Sequence, residues 1–342
     1  MFFNLGEEIR EPVSGAWASG WRVEGFLASG RHFRHYLVRS LLPELSGQRA
    51  VLKVIKYDPR RCGDPRYVAA LRGRLRFECE TLAHFSPRLP EPVDYFEIPN
   101  GQDPFEGFGA DKLRAAEPVL VRSLVHGSSL TQLMESHGAP PGDAERLLLC
   151  LARTCSFLDS LHAGGRGWLF WELTPEHIVV DPEHDYEPSF VGTSNFRMLK
   201  DGVAVAPAAG RDTLVPQAGY AAPEALRGNG ELRTDLYAVG ALVFHLFSGI
   251  DPRVLGDDIR SSGLDPADHP IAFAQRLRDT IERHCRRSLK GLGMHRARVR
   301  RLVLRSMDPD PAQRFESGAE MRDEILGFLR RSVPVAWPDQ PA

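Results

Sequence analysis

Two carboxylates and an imidazole lie close together in the segment 170–180. Glu172, Glu176 and His177 belong to the residue types that bind transition metals in proteins. Their spacing places all three on one short loop, so a metal site is one interpretation. A histidine packed into the loop for structural reasons is the other.

A lysine and a glutamate form a second candidate pair. Lys53 lies in a strand-like run, and Glu78 lies in a stretch with helical periodicity. A strand lysine that faces a helix glutamate can place its positive charge against phosphates, or it can stabilise the fold as an ion pair without any nucleotide. Glu80 competes for the glutamate role. Lys56, three residues along the strand, points to the opposite face.

The elements that position these residues change character along the chain. Strand-like runs come first, at 21–27, 34–39, 49–56, 93–96 and 119–121, with one amphipathic helix at 67–84. The later pattern is mostly helical, at 144–162 and 234–331, with short strands at 178–180 and 189–191. We therefore expect an α+β protein with an N-terminal extension (1–20), a small β-rich lobe (21–126), a larger helical lobe (127–332) and a flexible tail (333–342).

Composition excludes several classes of protein. The 342 residues contain 43 Lys and Arg against 45 Asp and Glu, which argues against a globally basic nucleic-acid binder and an acidic disordered chain. No stretch approaches the roughly 18 apolar residues that span a bilayer, and the first residues do not resemble a signal peptide. The five scattered cysteines indicate reduced thiols, so we expect a cytoplasmic protein without a membrane span.

Three separated patterns occur in order along the chain: Gly-Tyr-Ala-Ala-Pro-Glu at 219–224, Thr-Asp-Leu-Tyr-Ala-Val-Gly at 234–240 and Asp-Pro-Asp-Pro-Ala-Gln-Arg-Phe at 308–315. With them, the chain over residues 21–331 resembles the catalytic domain of eukaryotic-like Ser/Thr protein kinases. The resemblance implies a bilobal protein-kinase-like fold. It also implies that Asp235 hydrogen-bonds to the backbone of the catalytic loop, and that Arg314 pairs with Glu224.

The nucleotide-facing patterns follow the family less closely. Lys53 and Glu78 match its lysine–glutamate pair. In the glycine-rich loop only the middle glycine, Gly30, remains, and Phe33 stands at the third glycine position. Arg31, His32 and Arg34 could still attract anions, and the alternative, which we expect, is that they are exposed polar residues of this hairpin.

Arg122 falls at the family's gatekeeper position, which is usually apolar. A buried cation there would fill the pocket or pair with a buried carboxylate. Glu78 is the predicted partner, which would take it away from Lys53. A register difference of one residue is the alternative.

The catalytic loop departs from the family at the positions that do the chemistry. Glu172 stands where the family has its catalytic Asp, and the longer side chain displaces the carboxylate by about 1.5 Å. His177 replaces the Mg²⁺-binding Asn, although Mg²⁺ prefers oxygen ligands. Gly192 replaces the metal-binding Asp of the D-F-G motif, and no Asp or Glu occurs between Pro188 and Lys200.

These departures predict a pseudokinase that regulates or scaffolds a partner. The resemblance implies ATP as a ligand, while the degraded positions argue against Mg²⁺ in the usual mode, and we assign no metal site. The alternative is a divergent active kinase or other nucleotide transferase that uses Glu172 as its base.

A local excess of positive charge suggests where a partner binds. The segment from Arg283 to Arg305 contains nine Lys and Arg and no acid. It is either a solvated helical face or a docking surface for an acidic protein partner. Nucleic acid is disfavoured because no aromatic residues are interleaved for base stacking.

Overall fold

A computed structural model describes residues 3–13, 16–45, 47–82, 88–98, 117–137, 141–163, 167–200, 203–205, 217–288 and 296–329. The chain divides into two units, with the boundary between Val125 and His126. The predicted tail, 333–342, lies outside the described residues.

Unit 1 is built on an antiparallel sheet with strand order β1-β2-β3-β4-β6-β5. The strands are β1 (Glu8–Val13), β2 (Ala16–Ser29), β3 (Phe33–Ser40), β4 (Arg49–Ile55), β5 (Pro92–Ile98) and β6 (Glu117–Ser123). One helix, α1 (Pro65–Leu82), packs against β4, β5 and β6. β1 and the first residues of β2 lie in the predicted N-terminal extension, so this segment is part of the sheet.

The burial of each strand follows its place in the sheet. β3 alternates between buried and partly buried residues, whereas the central strands β4 and β6 are buried on both faces. Trp21, Val38, Leu52 and Val121 contribute to the core on one face. Lys53 therefore lies in the middle of an otherwise apolar strand, and its side chain needs a buried partner.

Unit 2 is mainly helical. Its helices are α2 (Leu130–His137), α3 (Pro141–Ala163), α4 (Pro223–Leu226), α5 (Leu232–Ser248), α6 (Pro252–Ser261), α7 (Pro270–Ser288), α8 (Arg296–Ser306) and α9 (Gly318–Leu329). α3 packs against α9, and α5 packs against α3, α7 and α8. α5 is buried almost all round, as its apolar sequence requires.

Two small antiparallel sheets complete unit 2 in the described residues. One has the order β10-β9-β7 and the other the order β12-β11-β8. The strands are β7 (Ser128–Ser129), β8 (Trp168–Leu169), β9 (Ile178–Asp181), β10 (Glu187–Phe190), β11 (Arg197–Lys200) and β12 (Val203–Val205). The segment between β8 and β11 contains the loop with Glu172, Glu176 and His177.

The expected pair between Glu224 and Arg314 forms inside unit 2. The guanidinium donates two hydrogen bonds to the carboxylate, at 2.6 and 3.0 Å, and its side chain is fully buried. The Thr234 hydroxyl donates to the same carboxylate at 2.9 Å. Such a bidentate contact ties α4 to the start of α5 and to the turn before α9.

The α+β class expected from the sequence is confirmed by this arrangement of strands and helices. Among the described residues, no single helix is long and apolar enough to cross a membrane. Only α5 and α6 taken together reach the required length and composition, and they are bent by 103°.

Candidate functional site

The first group of site residues lies in unit 1, where Glu78 pairs with two cations. Lys53 on β4 donates a hydrogen bond to one carboxylate oxygen of Glu78 on α1. Arg122 on β6 places its Nη1 3.5 Å from the other oxygen. Arg122 lies opposite Val51 in the β4–β6 register, two residues from Lys53, so both cations project from the same face of the sheet. Glu80 is exposed and takes no part.

Arg122 therefore contacts Glu78 as predicted, but the prediction that it takes Glu78 away from Lys53 is wrong, because the two cations contact different oxygens of the carboxylate. The three side chains are between 0 and 7% exposed. They carry two positive charges and one negative charge. Burial lowers the pKa of Lys53 to about 8, against the opposing effect of Glu78, and it also lowers the pKa of Arg122. Among the described residues, Arg122 has two buried nitrogens, Nε and Nη1, without a hydrogen-bond partner.

Phe33 covers the lysine from the hairpin that replaces the glycine-rich loop. Its ring centroid lies 4.1 Å from Lys53 Nζ. The Gly30 N–H donates to the Phe33 carbonyl at 2.9 Å, and Lys56 donates to the Gly30 carbonyl at 3.2 Å. The hairpin backbone thus bonds to itself, and the lysine that would face phosphates is held between an acid and an aromatic ring.

The expectation of an exposed polar hairpin is wrong at two positions. Arg34 is buried, and both ring nitrogens of His32 are buried without a hydrogen-bond partner. Burial lowers the pKa of His32 to about 3, and the positive charges of Arg74 and Arg31 act in the same direction. The imidazole is therefore neutral at physiological pH.

The second group lies in unit 2, where Asp235 fixes the catalytic-loop backbone as the resemblance implied. Its buried carboxylate accepts hydrogen bonds from the N–H groups of Phe170 at 2.8 Å and Trp171 at 2.9 Å. His162 Nε2 lies 3.0 Å from the same carboxylate. Trp171 adopts a left-handed backbone conformation with φ of 72°, which is costly for a bulky residue. The hydrogen bonds from its own N–H and from that of Phe170 to Asp235 hold the backbone in this conformation.

The carboxylate of Glu172, at the sequence position of the family's catalytic Asp, is hydrogen-bonded within unit 2. Asn195 donates a hydrogen bond from Nδ2 to its carboxylate. Arg197 donates to the carbonyls of Asn195 and Phe196, and its guanidinium lies 5.4 Å from the Trp171 ring. Burial lowers the pKa of Arg197 to about 10, with Glu172 opposing the shift.

The ring of His177 occupies the space that a side chain at position 192 would need. The pairing of Phe190 with Ile178, and the bond from the Val191 N–H to the His177 carbonyl, bring residue 192 beside the imidazole. A Cβ at position 192 would lie 2.3 Å from Cδ2 and 2.6 Å from Nε2 of His177. Gly192 also has φ of +82°, which favours glycine.

The ring of His177 is held in that position from its other side. Its Nδ1 lies 2.6 Å from the Glu172 carbonyl oxygen, so this nitrogen carries the proton and donates. The Thr174 hydroxyl lies 3.1 Å from the same nitrogen. With the ring fixed, any side chain at position 192 requires movement of the loop.

These residues do not fit Mg²⁺ in the manner of the kinase family. Mg²⁺ takes oxygen ligands in near-octahedral geometry, whereas this loop offers an imidazole and a glycine at the two metal positions. The transition-metal interpretation finds no support either, because no three His, Cys, Asp or Glu side chains converge to hold a metal among the described residues.

Sequence reasoning missed Asn195 and Arg197 as parts of this site. Both lie just after Gly192, in the stretch aligned with the D-F-G region, and neither matches a family motif. The one signal was a polar run inside an apolar segment. Such a run indicates buried hydrogen bonding without indicating its partner.

The charge balance around Glu78 generates a stability prediction. Glu78→Gln leaves two buried cations without an anion, so we expect it to lower the free energy of unfolding by about 3–5 kcal/mol. Arg122→Met removes the excess cation, and we expect a change within about 1.5 kcal/mol of the original protein. Urea unfolding followed by circular dichroism measures both. An Arg122→Met variant as unstable as Glu78→Gln would show that the charge balance is not the controlling factor.

The shared space of His177 and Gly192 generates a second prediction. Gly192→Asp should cost about 2–4 kcal/mol, because strain from the left-handed backbone adds to overlap with the ring. Gly228→Asp is the matched control, since Gly228 has φ of +78° and nothing lies within 4 Å of the position that a Cβ would take there. It should lose only about 1 kcal/mol.

A double-mutant cycle with His177→Ala isolates the overlap between the two positions. We expect His177→Ala to recover at least about 1 kcal/mol of the Gly192→Asp loss and none of the Gly228→Asp loss. Equal losses for the two aspartate variants, or a Gly192→Asp loss that His177→Ala leaves unchanged, would contradict the steric coupling.

Comparisons with known proteins find bacterial serine/threonine-protein kinases that are similar in sequence to this chain. The chain is 27% identical over 274 residues to the serine/threonine-protein kinase PknL of Mycobacterium tuberculosis, a match that covers 80% of this chain and 60% of that protein. It is 26% identical over 325 residues to the serine/threonine-protein kinase pkn3 of Myxococcus xanthus, covering 92% of this chain and 51% of that protein. The chain thus matches between half and three-fifths of the length of these relatives. No protein-family profile matches it.

Solved structures show the same fold. The PknI kinase domain of Mycobacterium tuberculosis matches with a TM-score of 0.54 at 21% identity, covering 96% of this chain and 100% of that domain. A double mutant of the same domain also gives a TM-score of 0.54, over 90% of this chain and 96% of that one. In its ordered motifs, its curated relatives and its fold, the chain is similar to the eukaryotic-like Ser/Thr protein kinases.

Proposed function

We propose that this protein is a pseudokinase, a kinase-fold domain that regulates or scaffolds a protein partner without Mg²⁺-dependent phosphoryl transfer. The observation that carries the proposal is the position of the His177 ring, which fills the space of any side chain at residue 192. Phosphoryl transfer depends on positioning and on metal ions that neutralise the phosphates, and the metal ligands are the part that this loop lacks.

The state of Glu172 supports the same proposal. A catalytic base has to reach the hydroxyl of its substrate within hydrogen-bond distance. Here the carboxylate accepts a hydrogen bond from Asn195, and it opposes the loss of charge on buried Arg197. The hydrogen bond from Asn195 orients Glu172 as part of a structural network in unit 2.

The state of Lys53 adds independent support from unit 1. A lysine that neutralises phosphates has to present its ammonium group to them. The Lys53 side chain is 2% exposed, bonded to Glu78 and covered by Phe33. Nucleotide binding through Lys53 therefore requires the Phe33 side chain to move.

We place the protein in the cytoplasm. All five of its cysteines, Cys62, Cys79, Cys150, Cys155 and Cys285, are free thiols, and three of them are buried. Thiols persist in reducing compartments, whereas secreted domains use such residues in disulfides.

A divergent nucleotide transferase is the second candidate, and two observations favour it. The Lys53–Glu78 ion pair forms, and Glu172 retains a carboxylate at the sequence position of the family's base. In this alternative, ATP would bind in a pose that does not depend on residues 177 and 192.

A phosphotransfer assay tests the proposal against the alternative. Purified protein is incubated with labelled ATP, Mg²⁺ or Mn²⁺ and a general acceptor protein. We expect no phosphate transfer above the level of a Glu172→Gln variant, because the metal positions hold an imidazole and a glycine. Steady turnover that both Lys53→Ala and Glu172→Gln abolish would contradict the pseudokinase proposal. Melting temperatures of the three proteins control for loss of folding.

A further inference from the structure

The surface around the basic segment of α7 and α8 carries less net positive charge in the structure than the local sequence indicates. α8 carries five arginines and no acid. Residues 289–295, including Lys290, lie outside the described part of the chain. The acids that balance the described arginines come from other positions of the fold, so the local charge run overstates the net charge of this surface.

Three arginines of α8 are each anchored by a glutamate. Arg300 pairs with Glu282 on α7. Arg301 pairs with Glu324 at 2.8 Å, and Arg305 pairs with Glu320 at 2.7 Å, both glutamates being on α9. The Arg305 guanidinium also lies 4.1 Å from the Phe315 ring centroid. These contacts hold long side chains that would otherwise sample many rotamers.

The anchored arginines line a surface groove of about 440 Å³ within unit 2. Its walls include four arginines, one acid and two apolar residues of α8: Arg278, Arg300, Arg301, Arg305, Asp308, Ala297 and Leu304. The three anchoring glutamates are not among the lining residues. The groove itself therefore has an excess of three positive charges, although the surrounding surface is nearly balanced.

The guanidinium groups retain capacity for a second anion. A guanidinium has five N–H donors, and the contact that anchors Arg301 or Arg305 uses its Nη2. Exposed ion pairs contribute only about 0–1 kcal/mol each, so a ligand can share or displace the anchoring glutamates at small cost.

The spacing of the charges indicates the shape of the ligand. Arg301 and Arg305 are four residues apart on α8, which is a rise of about 6 Å. Alternate residues of an extended chain are about 6.6 Å apart. Carboxylates at alternate positions of an extended peptide thus match this row. None of the residues that line the groove is aromatic, which disfavours stacked bases.

We propose that this groove binds an extended acidic segment of a protein partner, with carboxylates at alternate residues. The inference rests on the proposed binding function and supplies its partner class. It involves none of the residues of the candidate site, because the groove is built from α7, α8 and the turn that follows α8.

A peptide-binding measurement on the full chain tests the proposal. The probe is a fluorescein-labelled hexapeptide of alternating Ser and Glu, used at low salt, and the readout is fluorescence anisotropy. The test variant is Arg300→Ala with Arg301→Ala and Arg305→Ala. The control removes three surface arginines elsewhere, Arg22, Arg66 and Arg260, so that both variants lose the same charge.

We expect the groove variant to bind the peptide at least about tenfold more weakly and the control variant to stay within about twofold of the original protein. A peptide of alternating Ser and Gln, which has no side-chain carboxylates, should not bind. If the groove variant melts at a lower temperature than the control, Arg301→Ala alone replaces it, since that side chain is 69% exposed. It should then weaken binding about threefold.

Three results would overturn the proposal. They are absence of binding by the original protein at low salt, equal binding by the groove and control variants, and tighter binding of a single-stranded oligonucleotide of the same charge. Because the readout is peptide binding, failure here leaves the pseudokinase proposal standing. Phosphotransfer by the original protein would contradict the pseudokinase proposal but not the proposal that the groove binds an acidic segment.

Discussion

The carboxylate of Asp235 is the constraint on which the site in unit 2 depends. It is buried in the first turn of α5, where the helix dipole favours negative charge, and it accepts hydrogen bonds from two successive backbone N–H groups of the loop. Those bonds hold Trp171 in a left-handed conformation and thereby determine the direction of the loop that follows. Glu172 then meets Asn195, and His177 turns its ring towards Gly192. Without these hydrogen bonds, the strained backbone of Trp171 would lose the contacts that hold it.

The departures at the two metal positions and the retention of the fold have separate physical origins. Arg314, Glu224 and Asp235 are hydrogen-bonded in the interior of unit 2, so removing any one of them would leave buried polar groups without their partner. The two metal positions are linked by sterics, because a fixed imidazole at 177 requires a residue without a Cβ at 192. Two departures from the family that look independent in the sequence are therefore one structural change. In unit 1, Glu78 serves two cations, which makes it the least replaceable residue of that group.

Much of the fold and part of the site were predictable from the sequence. Strand and helix periodicity located the main elements, and motif order identified Asp235 and the pair of Glu224 with Arg314. The contact of Asn195 with Glu172 was not predictable, because it depends on side-chain directions in a loop without regular periodicity. The burial of His32 and Arg34 was missed because polar residue types suggested exposure. The acids that pair with the basic run, such as Glu320 and Glu324, were not predictable, because they are distant in sequence and adjacent only after folding.

The most direct test of the central claim is calorimetric titration of the protein with ATP, in the absence and in the presence of Mg²⁺. If the His177 ring occupies the space at residue 192, Mg²⁺ has no side chain to bind there and adds nothing to nucleotide affinity. We therefore expect either no binding under both conditions or dissociation constants that agree within about twofold. A Mg²⁺-dependent gain of about tenfold or more would show that the loop assembles a working metal site, and it would contradict the pseudokinase interpretation.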